Sequence, residues 1–111
     1  TVNPCGQIAI YSGGTATTIV ENGGYVWLED GANVTFASNT IDGLTISRQM
    51  TVHQNTIINN ATINELTEIF SGGIANNNNL NGIMNIRSGG TANKTIVNKY
   101  GRWWHSKQYN T

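Results

Sequence analysis

The stretch Ser12-Gly13-Gly14-Thr15-Ala16 (SGGTA) returns unchanged at Ser88–Ala92, and as SGGIA at Ser71–Ala75. Three copies of one pentapeptide in 111 residues make an internal repeat, and a repeat decides architecture before any single residue does. A second motif travels with the first: Thr18-Ile19-Val20, Thr40-Ile41-Asp42, Thr56-Ile57-Ile58, Asn79-Leu80-Asn81 and Thr95-Ile96-Val97. Its apolar centres, at 19, 41, 57, 80 and 96, are about 19 residues apart on average. A third series precedes the glycines: Ile8 and Ile10, Val26 and Leu28, Ile69, and Met84 and Ile86. Each unit therefore reads as a strand, an SGG-x-A turn, a second strand, and a Gly/Asn turn such as Asn22-Gly23-Gly24 or Asn59-Asn60.

Composition agrees with that reading. Gly, Asn and Thr supply 13, 17 and 14 residues, and 13 more are Ile. Thr, Ile and Val favour strands, while Gly and Asn favour tight turns. Only 11% of the residues are charged and there is one Pro, the opposite of a disordered chain. The length fits one domain. No apolar run reaches the ~18 residues of a membrane-spanning helix. The single cysteine, Cys5, excludes an internal disulfide and reads as a near-terminal bystander.

A unit with two or three inward side chains per strand cannot bury them alone. Stacking the units solves this, because each Ile then packs on the Ile one coil below. Backbone groups pair between coils at about 4.8 Å, Asn side chains stack as ladders, and Gly-Gly supplies the positive φ of the corners. The expected fold is all-β, a right-handed parallel β-helix (β-solenoid) of five to six coils. An antiparallel sandwich also has short strands and turns, but does not call for near-identical pentapeptides in step with a second motif. The repeat region spans 7–101, between a lead-in over 1–6 and an aromatic tail or cap over 102–111.

"SGGTATTIVENGG" (Ser12–Gly24) and "IRSGGTANKTIVNKYG" (Ile86–Gly101) resemble the repeats of AIDA-type self-associating autotransporter adhesins, the group of AIDA, TibA and antigen-43-like proteins of Gram-negative bacteria. The resemblance covers 7–36 and 66–101. It weakens over 37–65, where Ser47-Arg48-Gln49 stands in place of the expected Gly pair. It implies a passenger region hundreds of residues long, of which this chain is a piece. Its place would be the bacterial cell surface, anchored through a C-terminal outer-membrane barrel that this chain lacks, or the secreted medium. It implies adhesion, autoaggregation and biofilm formation, with other copies of the chain and host cell surfaces or glycans as partners. It also implies O-heptosylation by a dedicated autotransporter heptosyltransferase. The matching acceptor positions are Ser12, Thr15, Ser71, Ser88 and Thr91, whose hydroxyls also suit the capping of turns.

Other surfaces invite a role. The run Asn76-Asn77-Asn78-Asn79 offers amides that donate and accept at once, which suits self-association as well as an internal turn ladder. Each such bond is worth only ~1 kcal/mol, so adhesion would have to come from many coils. The tail concentrates Tyr100, Trp103, Trp104 and Tyr109. Trp103 and Trp104 read as a cover over the open end of the core or as rings for stacking on sugars. Residues 1–70 carry a formal charge of −5 and residues 71–111 one of +5, which would favour head-to-tail or antiparallel contacts between copies.

Enzyme classes find little support. β-Helix lyases and glycosidases need clustered acids, and Glu29-Asp30 has no second pair one coil away. His53 and His105 stand apart with no metal-ligand spacing, so the expectation is no metal, no cofactor and no catalysis. Bases are too few for a nucleic-acid partner. The alternative reading is a carbohydrate-binding or carbohydrate-cleaving β-helix.

Overall fold

The structure, a computed structural model, describes residues 1–99 and 101–105. Every element among them is a short strand, sixteen in all, and every pairing is parallel. The chain winds as a β-solenoid of about six turns. One face carries β1 (Gln7–Ile10), β3 (Tyr25–Leu28), β7 (Met50–Val52), β10 (Leu66–Ile69), β13 (Ile83–Ile86) and β16 (Arg102–His105). β2 (Thr15–Ile19) and β4 (Asn33–Phe36) pair as a two-stranded sheet, and a separate sheet holds β5 (Asn39–Asp42), β8 (Thr56–Asn59), β11 (Ile74–Asn76) and β14 (Thr91–Asn93). The shortest face holds β6 (Thr45–Ile46), β9 (Thr62–Ile63), β12 (Asn79–Leu80) and β15 (Ile96–Val97).

From residue 39 to residue 97 the coil length is 17 residues: Ile41 pairs with Ile58, Ile58 with Ala75, and Ala75 with Ala92, whereas β13 and β16 are offset by 19. The core is built from such inward rows. Ile46, Ile63 and Leu80 form a second row, Val52, Ile69 and Ile86 a third, and Met50, Thr67, Met84 and Trp103 a fourth. Like side chains stacked at strand spacing leave little empty space, and dispersion rewards that contact. The 19-residue average from the sequence is too long. It joined positions from different rows: Ile41 and Leu80 point inward on two faces, whereas Ile57 pairs with Thr40 and Ile74 on the outer side, and Ile96 is exposed.

The corners explain the glycines. Gly13, Gly31, Gly72 and Gly89 have φ between 81° and 92°, and Asn55 (φ 74°) takes the same place one coil before Gly72. The corner that departs from the glycine pattern is therefore Gln54-Asn55, not Ser47-Arg48-Gln49. Asn serves because its side chain tolerates the left-handed region. A second left-handed corner recurs at Gly43, Asn60, Asn77 and Lys94. The corners stack through the backbone, as Gly72 N–H donates to Gly89 O at 3.0 Å and Asn60 N–H to Asn76 O at 3.1 Å.

The winding breaks once. The first coils pair as β1–β3, β2–β4 and a parallel bridge between Val2 and Glu21, while the later strands form three four-stranded sheets. Between them Thr51 N–H still reaches Gly24 O at 3.0 Å, but Val26 N–H must bond the Thr51 hydroxyl at 2.9 Å instead of a carbonyl. The core divides accordingly. Thirteen buried apolar residues from Ile41 to Ala92 make one cluster, and Val2, Ile10, Ile19 and Val26 make another.

Candidate functional site

All five hydroxyl positions marked by the repeat, Ser12, Thr15, Ser71, Ser88 and Thr91, are exposed on the SGG side of the coil. Ser71 and Ser88 occupy the same corner one coil apart. The geometry also shows why Ser and Gly travel together. A Cβ placed at Gly89 would come 2.5 Å from Ser71 Oγ, and one at Gly31 2.6 Å from Ser12 Oγ. The serine of one coil leans over the glycine of the next. Thr15 and Thr91 open β2 and β14 from the outer row, with the alternate residues Ala16 and Ala92 turned inward.

The Asn run divides by orientation. Asn76 belongs to an outward ladder, in which Asn93 Nδ2 donates to Asn76 Oδ1 at 2.9 Å and Asn76 Nδ2 donates to Asn59 Oδ1 at 3.1 Å. Asn77 is the exposed left-handed corner. Asn79 is half-buried in β12. Asn78 is fully buried, accepting from Ala61 N–H at 2.8 Å and donating to Ile58 O at 3.3 Å. It satisfies corner backbone that water cannot reach, so it cannot lie on a self-association face. A second ladder, absent from the sequence reading, runs Asn98 to Asn81 to Asn64 at 2.6 and 2.8 Å.

Trp103 follows Met84 in the inward row of the first face and packs against the larger core, from a strand that pairs with β13. That position favours the covering role over sugar stacking. The side chain of Trp104, with Tyr100 and Tyr109, lies outside the described residues. The charge split is partly internal. Glu68 pairs with Arg87 at 2.8 Å, and Glu21 is buried, so neither acid contributes an open charge to the N-terminal part.

The most elaborate side-chain cluster sits where the winding breaks, and sequence reasoning passed over it. Glu21 is buried; its Oε1 accepts His53 N–H at 2.6 Å, and its Oε2 accepts the Thr51 hydroxyl at 2.7 Å and lies 2.7 Å from His53 Nδ1. His53 is far from isolated. Its ring stacks between Phe36 (4.5 Å, 9°) and Phe70 (4.4 Å, 2°), and the Arg87 guanidinium lies 5.7 Å from the Phe70 centroid. Residues 36, 53, 70 and 87 are 17 apart, so this stack was a repeat in the sequence, hidden because His53 and Arg87 interrupt the Phe series.

A cleft of about 410 Å³ opens beside this stack, between β3 and the ends of β7, β10 and β13. The Glu68 carboxylate is buried in its wall, held by Arg87 and by the Tyr25 hydroxyl, which donates to Oε2 at 3.2 Å. Desolvation pushes the Tyr25 hydroxyl above its ordinary pKa; the nearby Glu68 charge and the hydrogen bond to it add to the rise, and Arg87 offsets part of it. Trp27, 42% exposed, lines the same cleft and meets Tyr11 edge-on at 5.6 Å. Asp30 stands exposed at the rim.

Fold and corners together define a parallel β-solenoid with hydroxyl-bearing outer turns. No family model matches the chain, and no curated protein sequence does either. Among solved structures, the chain is similar to the crystal structure of a TibA fragment that is hyper-glycosylated by TibC catalysis. The TM-score is 0.58 at 22% identity, over 96% of this chain and 45% of that fragment. The chain thus spans about half the length of the structure it matches, and at this identity the likeness is one of fold.

Proposed function

We propose that the chain is part of the surface-displayed passenger of a bacterial autotransporter adhesin, whose outer corners carry sugars added to Ser and Thr. The observation that carries this reading is the exposed hydroxyl at successive corners of a solenoid that shares its fold with a glycosylated TibA fragment. A glycosyltransferase acting on folded coils needs accessible hydroxyls, and a regular array lets one enzyme act at many coils. Ser71 and Ser88 are the foremost acceptors, because one enzyme can read the same corner twice. The role is non-enzymatic: the chain is substrate to the heptosyltransferase and partner to other copies of itself. Self-association runs along outward rows, weak per contact and avid in sum. Asn77 and the exposed Thr residues are the groups free to take part.

Co-expression with an autotransporter heptosyltransferase, followed by intact mass measurement, tests this. The expected result is a series of heptose increments that shrinks when Ser71 and Ser88 are both replaced by Ala. An unmodified mass with an active enzyme would reject the acceptor role. Settling of cells that display the chain tests self-association in the same experiment.

A further inference from the structure

We propose that the cleft at the break in the winding is a binding site for a neutral saccharide. The inference concerns ligand binding by the chain, not modification of it, and rests on the cleft alone. The regular coils beyond residue 39 hold a hollow of similar size, about 370 Å³, but Asn and Lys side chains line it and no aromatic ring does. Here β3 meets β7 only at its first residues and then departs, which opens a wall with an aromatic side and a polar side.

The aromatic side is Trp27, whose exposure is unusual for so large an apolar ring. The electron-rich face of an indole attracts the slightly positive C–H groups of a pyranose ring. The polar side is Glu68, Arg87 and Asp30. Glu68 is only 7% exposed, and Tyr25 and Arg87 fix its position, so it is preorganised and not a mobile surface acid. Hydroxyls suit such a wall, because each one donates to a carboxylate and accepts from a guanidinium.

Charge selects the class of occupant. Glu68 and Arg87 neutralise each other, which leaves Asp30 at the open rim to repel an anion. An uncharged polyhydroxylated ring meets no such repulsion, and it uses the aromatic ring and the paired polar groups together. The volume of about 410 Å³ lies at the lower end of ligand pockets and has room for a mono- or disaccharide.

Saturation-transfer difference NMR on the purified chain tests this, with methyl glycosides of glucose, galactose and mannose as probes. N-acetylneuraminic acid and spermidine serve as charged comparisons. The expected result is millimolar binding of at least one neutral glycoside and weaker binding of both charged probes. Trp27→Ala should weaken binding by at least about tenfold while the circular dichroism and melting of the chain are kept. Should Trp27→Ala fail to fold, Asp30→Ala at an exposed position carries the test, with a loss of a few-fold expected. No transfer to any neutral glycoside, tighter binding of a charged probe, or unchanged affinity in a folded variant would each overturn the site. Heptosylation or its absence has no bearing on the outcome.

Discussion

The two ends of this solenoid are built from the same motif and packed very differently. Between residues 39 and 97, a constant 17-residue register brings thirteen apolar residues to 2% exposure or less. In the coils before residue 39, β1 and β3 are offset by 18 residues, β2 and β4 carry a register shift, and the four core residues are between 1% and 9% exposed. Repetition alone does not make a dry core; repetition in constant register does. Where the register slips, apolar rows no longer meet end to end, and Glu21, Thr51 and His53 fill the gap with hydrogen bonds. The same slip opens the cleft.

Removing the joint is expected to have the largest effect. Glu21→Ala leaves the Thr51 hydroxyl, His53 N–H and His53 Nδ1 buried without their acceptor, at a cost of about 3–5 kcal/mol. Amide hydrogen exchange should then rise across residues 1–36 before it rises in β8 to β12. Equal loss of protection in both regions would show that they unfold as one unit.

Next come the cores themselves. Leu80→Ala, in a fully buried row, should cost about 2–5 kcal/mol in denaturant unfolding. Ile10→Ala, with solvent already near it, should fall at about 2 kcal/mol, because a looser site relaxes around the deletion. Equal losses would erase the contrast between the regions.

The corners give a smaller, paired comparison. Gly13 and Gly89 share a left-handed φ, but a Cβ at Gly13 meets nothing within 4 Å whereas one at Gly89 meets Ser71 Oγ. Gly13→Ala should cost about 1 kcal/mol of backbone strain and Gly89→Ala measurably more, by thermal unfolding. Adding Ser71→Gly to Gly89→Ala should recover only the excess.

The smallest effect is a pH dependence across the joint. Tyr25, in the first region, donates to Glu68 in the second, and its hydroxyl holds its proton above the ordinary 10.0. The folded state therefore binds a proton that the unfolded state has lost. The contribution is complete below pH 10.0 and disappears as pH rises through the higher folded value. Wild type should lose more stability than Tyr25→Phe over that alkaline interval. Parallel curves would mean that the Tyr25–Glu68 contact does not form in solution.

Much of this was legible beforehand. The SGG pentapeptides and the strand-forming residues between them announced stacked parallel coils, because a backbone corner needs the same residues each time it recurs. The exposed corner hydroxyls were legible for the same reason, being fixed relative to those glycines. The coil length was misjudged, since apolar centres were joined without knowing which face each one met; Ile57 and Ile96 look inward on paper and point outward in space. Asn76 to Asn79 read as one patch, yet a polypeptide turning a corner sends consecutive side chains to opposite sides.

What the sequence determined by itself was the architecture, through positions where local chemistry admits few choices: glycine or asparagine at left-handed φ, and Ile, Val or Leu between them. What only the tertiary structure decided was the joint and its cleft. Phe36, His53, Phe70 and Arg87 are three residue types in one row, and Glu21 lies 32 residues from the histidine it holds. Such a constellation depends on which coils lie side by side and where their register fails, and both are settled only when the whole stack is assembled.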